Sequence, residues 1–66
     1  MNRIKEVLVE KDKTQTWLAE KLGKSYNMVN SYAQNRRQPS IEILYRIAQI
    51  LSVDVRQLLI SDGQTK

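Results

Sequence analysis

Residues 14–35 read TQTWLAEKLGKSYNMVNSYAQN, and the spacing of their apolar side chains decides the fold. Leu18, Ala19 and Leu22 recur at i, i+1, i+4, an interval that gathers side chains on one face of a helix. Thr14 ahead of them is a good N-cap, because its hydroxyl can accept a free N–H of the first turn. Gly23 stands where that helix must end in a left-handed conformation, which glycine enters without a Cβ penalty. Ser25 then caps a second helix that turns Met28, Val29 and Tyr32 inward. Two short helices hinged at a glycine make a helix-turn-helix, and the second has the shape to lie in a DNA groove.

The outer face of that second helix is the informative one. Asn27, Asn30, Ser31 and Gln34 fall at i, i+3, i+4, i+7, a single stripe of short neutral hydrogen-bonding groups. An exposed face under no other demand usually carries Glu, Lys or Gln, which hold a helix better. No charge occurs between Ser25 and Asn35. Asn and Ser weaken a helix, so a purpose other than helix stability is implied. Amide side chains pair bidentately with adenine in the major groove, and serine meets either a base or a phosphate. A merely solvated polar face is the competing explanation.

These residues also carry a resemblance. The set Gln15, Leu18-Ala19, Gly23, Ser25, Val29, Tyr32, Pro39-Ser40, Leu44, Ile47-Ala48 and Leu51 resembles the phage repressor and Cro-type (XRE-like) helix-turn-helix domains, over nearly the whole chain. The resemblance implies an all-α, compact five-helix bundle acting as a dimer on a near-palindromic operator. It implies base contacts from Tyr26, Asn27 and Ser31. It implies phosphate contacts from Thr14 and Gln15 and from the loop Gln34 through Arg37. With the polar stripe added, the candidate base contacts are Tyr26, Asn27, Asn30, Ser31 and Gln34. The candidate phosphate contacts are Thr14, Gln15, Lys24, Ser25, Arg36 and Arg37. Three positions depart from the family pattern: Lys24 where an apolar residue is usual, Ala33 where Glu is frequent, and Asn35 where Gly is preferred. Lysine can lay its stem on a core and send its ammonium outward. Asparagine is the commonest non-glycine residue in left-handed geometry, so Asn35 can still end the helix.

Composition sets the outer bounds. At 66 residues the chain is one small domain, and such a chain buries only about 60% of its unfolded surface. It holds neither cysteine nor histidine, so no disulfide and no thiolate or imidazole metal site is expected, and a reducing, cytoplasmic setting is. No apolar run approaches the roughly 18 residues of a membrane span, and no signal-peptide pattern opens the chain. The net charge is +4, and all of it lies between residues 13 and 37, where Lys13, Lys21, Lys24, Arg36 and Arg37 stand against Glu20. The flanking segments balance. A positive excess confined to one element is expected of a surface that meets a polyanion.

Along the chain, residues 2–11 read as the first helix, with Asn2 as its N-cap and Ile4, Val7, Leu8 and the stem of Lys11 on the inner face. Residues 10–13 form a charged turn. Trp17, one position before Leu18, is expected at the core edge. Pro39 makes residues 35–38 a loop, whose adjacent arginines suit phosphate oxygens by charge and by fork geometry. Ser40 caps a fourth helix over residues 41–51, with Ile41, Leu44, Ile47, Ala48 and Leu51 inward. Asp54 caps a fifth over residues 55–60, burying Leu58 and Leu59. The domain is expected to span residues 1–61, with residues 62–66 a polar tail.

The function implied is a sequence-specific, double-stranded DNA-binding transcriptional regulator that occupies a promoter-proximal operator and blocks or recruits polymerase, with no cofactor and no small-molecule ligand. Catalysis is not expected. Without His or Cys a nucleophile lacks its usual base, and the acids are scattered. The alternative is a protein–protein or antitoxin-like module that retains the fold without the DNA contacts; an interface core would be richer in aromatic and aliphatic groups. The apolar arc of the fourth helix spans roughly 220° at about 100° per residue, wider than a surface helix needs. One edge must therefore face either other helices of the fold or another subunit. What central burial leaves over is a small apolar patch around Ile50, Val53, Val55 and Ile60, suited to a weak homodimer contact.

Overall fold

Ile4, Leu18, Val29, Ile47 and Leu58 are each fully buried, and each comes from a different element of the chain. The computed structural model describes residues 2–59. It consists of α1 (Ile4–Glu10), α2 (Gln15–Leu22), α3 (Tyr26–Ala33), α4 (Ile41–Leu51) and a 3-10 turn (Val55–Leu58). α2 packs on α3 and α4, while α1 packs on α3 and on the 3-10 turn, which closes against α4. No helix among the described residues is long and apolar enough to cross a membrane.

The starts of the helices follow the caps read from the sequence. Thr14 Oγ1 accepts from Trp17 N at 3.0 Å, Ser25 Oγ from Met28 N at 3.1 Å, and Ser40 Oγ from Ile43 N at 3.2 Å. Asp54 and Gln57 form a reciprocal capping box on the final turn. The ends of the helices share one device. Asp12, Gly23, Asn35 and Ser52 all take left-handed backbone, with φ of 60°, 72°, 62° and 58°. At each, two N–H groups return to the helix just ended, as in Lys13 N to Leu8 O and Asp12 N to Val9 O. This pair of bonds satisfies carbonyls that a helix end otherwise leaves open. Three of the four left-handed residues sit two positions before the next cap: Asp12 before Thr14, Gly23 before Ser25, Ser52 before Asp54. Only after Asn35 does a longer loop intervene, and it carries Arg36 and Arg37.

Several expectations need correction. Among the described residues the bundle has four α-helices and a 3-10 turn, not five helices. After Leu58 the chain turns extended, Leu58 O accepts from Arg3 N at 2.8 Å, and Leu59 forms an antiparallel bridge with Asn2. The extended backbone of Leu59 ends the turn there, and the Leu58 carbonyl serves the N-terminal segment rather than a helical N–H. Leu59 consequently points outward at 43% exposed, while its neighbour Leu58 is buried. α1 begins at Ile4 rather than residue 2, because Asn2 is not its cap. Lys11 is exposed and Met28 only half-buried, whereas Ala33 joins the core. Ile41 is 61% exposed; Leu44, Ile47, Ala48 and Leu51 fill the space facing the other helices, leaving the Ile41 and Tyr45 edge of the arc in solvent. Ile60 and the 62–66 tail lie outside the described residues.

A non-glycine residue in left-handed backbone costs roughly 1–2 kcal/mol, partly offset in glycine by greater unfolded-state freedom. Ser52→Gly should therefore raise stability by up to about 1 kcal/mol. Gly23→Ala should lower it by a similar amount, although an added Cβ would meet no atom within 4 Å. Urea unfolding followed by the fluorescence of Trp17 measures both. A neutral Gly23→Ala would show that the turn does not depend on left-handed geometry.

Candidate nucleic-acid interface

The cap of α2, the whole of α3 and the loop after it bring the candidate contacts into one body. At its start, Thr14 and Ser25 accept cap bonds through their hydroxyl oxygens, which leaves each hydroxyl hydrogen free to donate. The first N–H groups of α2 and α3 have no partner within their helices and carry the positive end of the helix dipole. Both features suit an anion such as a phosphate.

On α3, Tyr26 is 49% exposed, Asn27 and Gln34 are exposed, and Asn30 and Ser31 are half-buried. Asn30 Nδ2 donates to Gln15 Oε1 at 2.8 Å. A candidate base contact is thus joined to a candidate phosphate contact, locking the start of α2 to the middle of α3. Neither Asn30 Oδ1 nor Gln15 Nε2 bonds a described residue, so the pair keeps an acceptor and a donor to offer. The pairing has no signature in the sequence. Gln and Asn are separated by 15 positions, and no local pattern connects them.

The loop is folded back on the helix it follows. Arg36 N and Arg37 N both donate to Ser31 O, at 3.0 and 3.3 Å. The backbone of the two arginines therefore hangs from a residue of the polar stripe. Both side chains are exposed. Arg37 Nη1 lies 3.3 Å from Met28 Sδ, laying one guanidinium across α3. Lys24 is half-buried at the turn, with its N–H returned to Ala19 O at 3.0 Å.

Charge pairing elsewhere leaves this surface positive. Arg3 pairs with Glu6 at 2.6 Å and Glu10 at 3.5 Å, and Arg56 with Asp54 at 3.2 Å. The hydrogen bond from the Arg56 side chain holds the Asp54 carboxyl below the usual carboxylate range. Lys24, Arg36 and Arg37 form no ion pair with a described residue. Lys13 and Lys21 are differently occupied. Their ammonium groups stand 4.9 and 5.8 Å from the ring centroid of Trp17, Lys13 reaching it from ahead of α2 and Lys21 from its last turn. Trp17 itself is half-buried against the core, at the edge position expected and under a cover of lysine.

Two residues of the site carry no such signal in the sequence. Asn2 is buried at 4% exposed and, with Gln38, bonds to Asn35 in the arginine loop. Its resemblance to an N-cap masks it; the side chain does accept from Ile4 N at 3.0 Å, but its donors turn to partners 30 and 36 residues away.

A family model described as helix-turn-helix matches residues 4–58. A crystal structure of a candidate DNA-binding protein from Bacteroides fragilis is similar at a TM-score of 0.87, with 50% identity over 88% of this chain and 94% of that one. No match to this chain was found among curated proteins. The match spans every element from α1 to the 3-10 turn, and the chain belongs to the helix-turn-helix family, of phage repressor and Cro type (XRE-like).

Proposed function

We propose that this protein is a sequence-specific transcriptional regulator that binds a double-stranded DNA operator, with α3 in the major groove. The observation that carries this is the outward face of α3: Tyr26, Asn27, Ser31 and Gln34 present uncharged donors and acceptors, and an arginine pair is tied to the same helix through Ser31 O. Neutral amides and hydroxyls discriminate bases by hydrogen-bond pattern, whereas guanidinium groups beside them hold phosphates and set register. The DNA-binding description of the Bacteroides fragilis relative supports the same reading. Occupying a promoter-proximal operator, such a protein would block or recruit polymerase according to where the operator lies.

The proposal includes a two-fold dimer on DNA. One recognition helix offers few base contacts, and paired half-sites about one helical turn apart multiply them. Ile50, Val53 and Val55 pack on the core while keeping part of their surface open, and Ile41 and Tyr45 expose a second apolar edge of α4. Such small patches suit a weak isologous contact that forms when DNA aligns two copies.

Sites selected from a random duplex pool provide the test. Asn27→Ala should cost about 1–3 kcal/mol on the best site and relax preference at one position per half-site; equal losses on selected and random DNA would remove Asn27 as a base contact. Arg36→Ala should weaken all duplexes alike and lower the salt slope by about one unit. An altered base preference at unchanged slope would contradict the phosphate role. Light scattering of the saturated complex should give two protomers per site, and a 1:1 complex on a site without inverted symmetry would exclude the dimer.

A further inference from the structure

Asn2 is the single buried polar or charged side chain among the described residues, and it lies far in sequence from most of what it bonds. Its Nδ2 donates to Tyr32 O at 3.0 Å and to Gln38 Oε1 at 3.0 Å, and its Oδ1 accepts from Ile4 N at 3.0 Å. Both amide hydrogens are therefore used. Its backbone is held as well: Asn2 N donates to Asn35 Oδ1 at 2.8 Å, and Asn35 Nδ2 donates to Asn2 O at 3.3 Å. Gln38 Nε2 closes the ring by donating to Asn35 Oδ1 at 3.1 Å. Asn2, Asn35 and Gln38 thus form a closed set of three amides.

The two outer members of that set, Asn35 and Gln38, are the residues that flank Arg36 and Arg37. Both ends of the arginine segment are pinned to one point of the N-terminal segment. Adjacent guanidinium groups repel one another and sit on long, rotatable stems, so an untethered pair would spread. Ending α3 does not itself call for the amides. Asp12 and Ser52 end α1 and α4 in the same left-handed geometry, with no side-chain hydrogen bond to a described residue. At φ of +62°, glycine would serve Asn35's backbone at lower cost. The asparagine gives up that economy and gains two bonds to the Asn2 backbone.

We infer that Asn2, Asn35 and Gln38 act as positioning residues that hold the Arg36-Arg37 loop in register for the DNA phosphates. This rests on the DNA-binding function proposed above and adds to it residues that would touch no nucleotide. The amides set where the arginines stand; Arg36 and Arg37 supply the charge. Sequence preference, which belongs to α3, is independent of them.

The test uses the full chain, with affinity for a random-sequence duplex measured by fluorescence anisotropy across a salt series. Asn35→Gly is the principal variant, because it removes all three hydrogen bonds of the Asn35 amide while keeping the turn unstrained; Asn2→Ala is the second. Trp17 fluorescence during unfolding establishes that each is folded, and Asn35→Gly carries the test if Asn2→Ala is not. Each folded variant should bind more weakly, with the salt slope lowered by about one unit for every phosphate that the arginines no longer neutralise and base preference unchanged. In a chain already carrying Arg36→Ala and Arg37→Ala, Asn35→Gly should cause almost no further loss. A wild-type slope in the folded variants, or an equal loss in the background lacking Arg36 and Arg37, would reduce the amides to a structural tie and overturn the inference. If the wild-type chain binds no duplex at all, the proposed function fails first. If it binds and the variants match it, only the positioning role falls.

Discussion

The left-handed residue at each helix end is the constraint on which the rest of the molecule depends. The four helices contain 7, 8, 8 and 11 residues, and isolated helices below about 12–15 residues are marginal in water. Each must therefore be stopped, reversed and packed on its neighbours within a few residues. Asp12, Gly23 and Ser52 accomplish this in one repeated form, turning the chain so that a capping side chain follows two positions later. Short turns of fixed geometry leave the helices little freedom in how they cross. That rigidity lets five buried side chains, one per element, meet in a core with little volume to spare.

Local chemistry is legible in a sequence to the extent that it is local. Thr14, Ser25, Ser40 and Asp54 declare themselves as caps because their partners lie within three residues, and each one caps. Gly23 and Asn35 are readable as helix ends from their residue types. Asp12 and Ser52 are not, since aspartate and serine occur far more often in ordinary turns than in left-handed backbone. The fifth helix failed for a non-local reason: the carbonyl of Leu58 is taken by Arg3, 55 positions earlier in the chain. Ile41 and Leu59 failed for a related one. A helical or extended pattern gives the direction of a side chain, but not whether another element stands there to cover it.

The candidate site divides along the same line. The neutral stripe of α3 is legible because residue identity and helical spacing suffice to place Asn27, Ser31 and Gln34 on one face. The bonds that make the stripe, the start of α2 and the arginine loop a single unit run from Asn30 to Gln15, from the arginine N–H groups to Ser31, and from Asn2 to three separate partners. Two of these three connections depend on amide side chains. Amides suit the task because each offers donors and acceptors at once without the desolvation cost of a charge.

A division of labour between neutral and charged groups follows from this arrangement. α3 carries no charge, so in the proposed complex it adds little to the attraction that all duplexes share. That attraction must come from Lys24, Arg36 and Arg37, from the helix N-termini, and from the capping hydroxyls. Lys13 and Lys21 stand over the face of Trp17, and Arg3 and Arg56 pair with carboxylates. Lys24, Arg36 and Arg37 are thus the cations of the candidate site that neither a ring nor a carboxylate engages among the described residues. Non-specific binding scales with the number of phosphates neutralised. A domain that neutralises so few would release random DNA readily at physiological salt and would linger only where the α3 hydrogen bonds are satisfied. A small number of phosphate contacts is thus no defect in such a reader. It keeps the energy of the common backbone small beside the energy of the right bases, provided that the few arginines present are held where the phosphates will be.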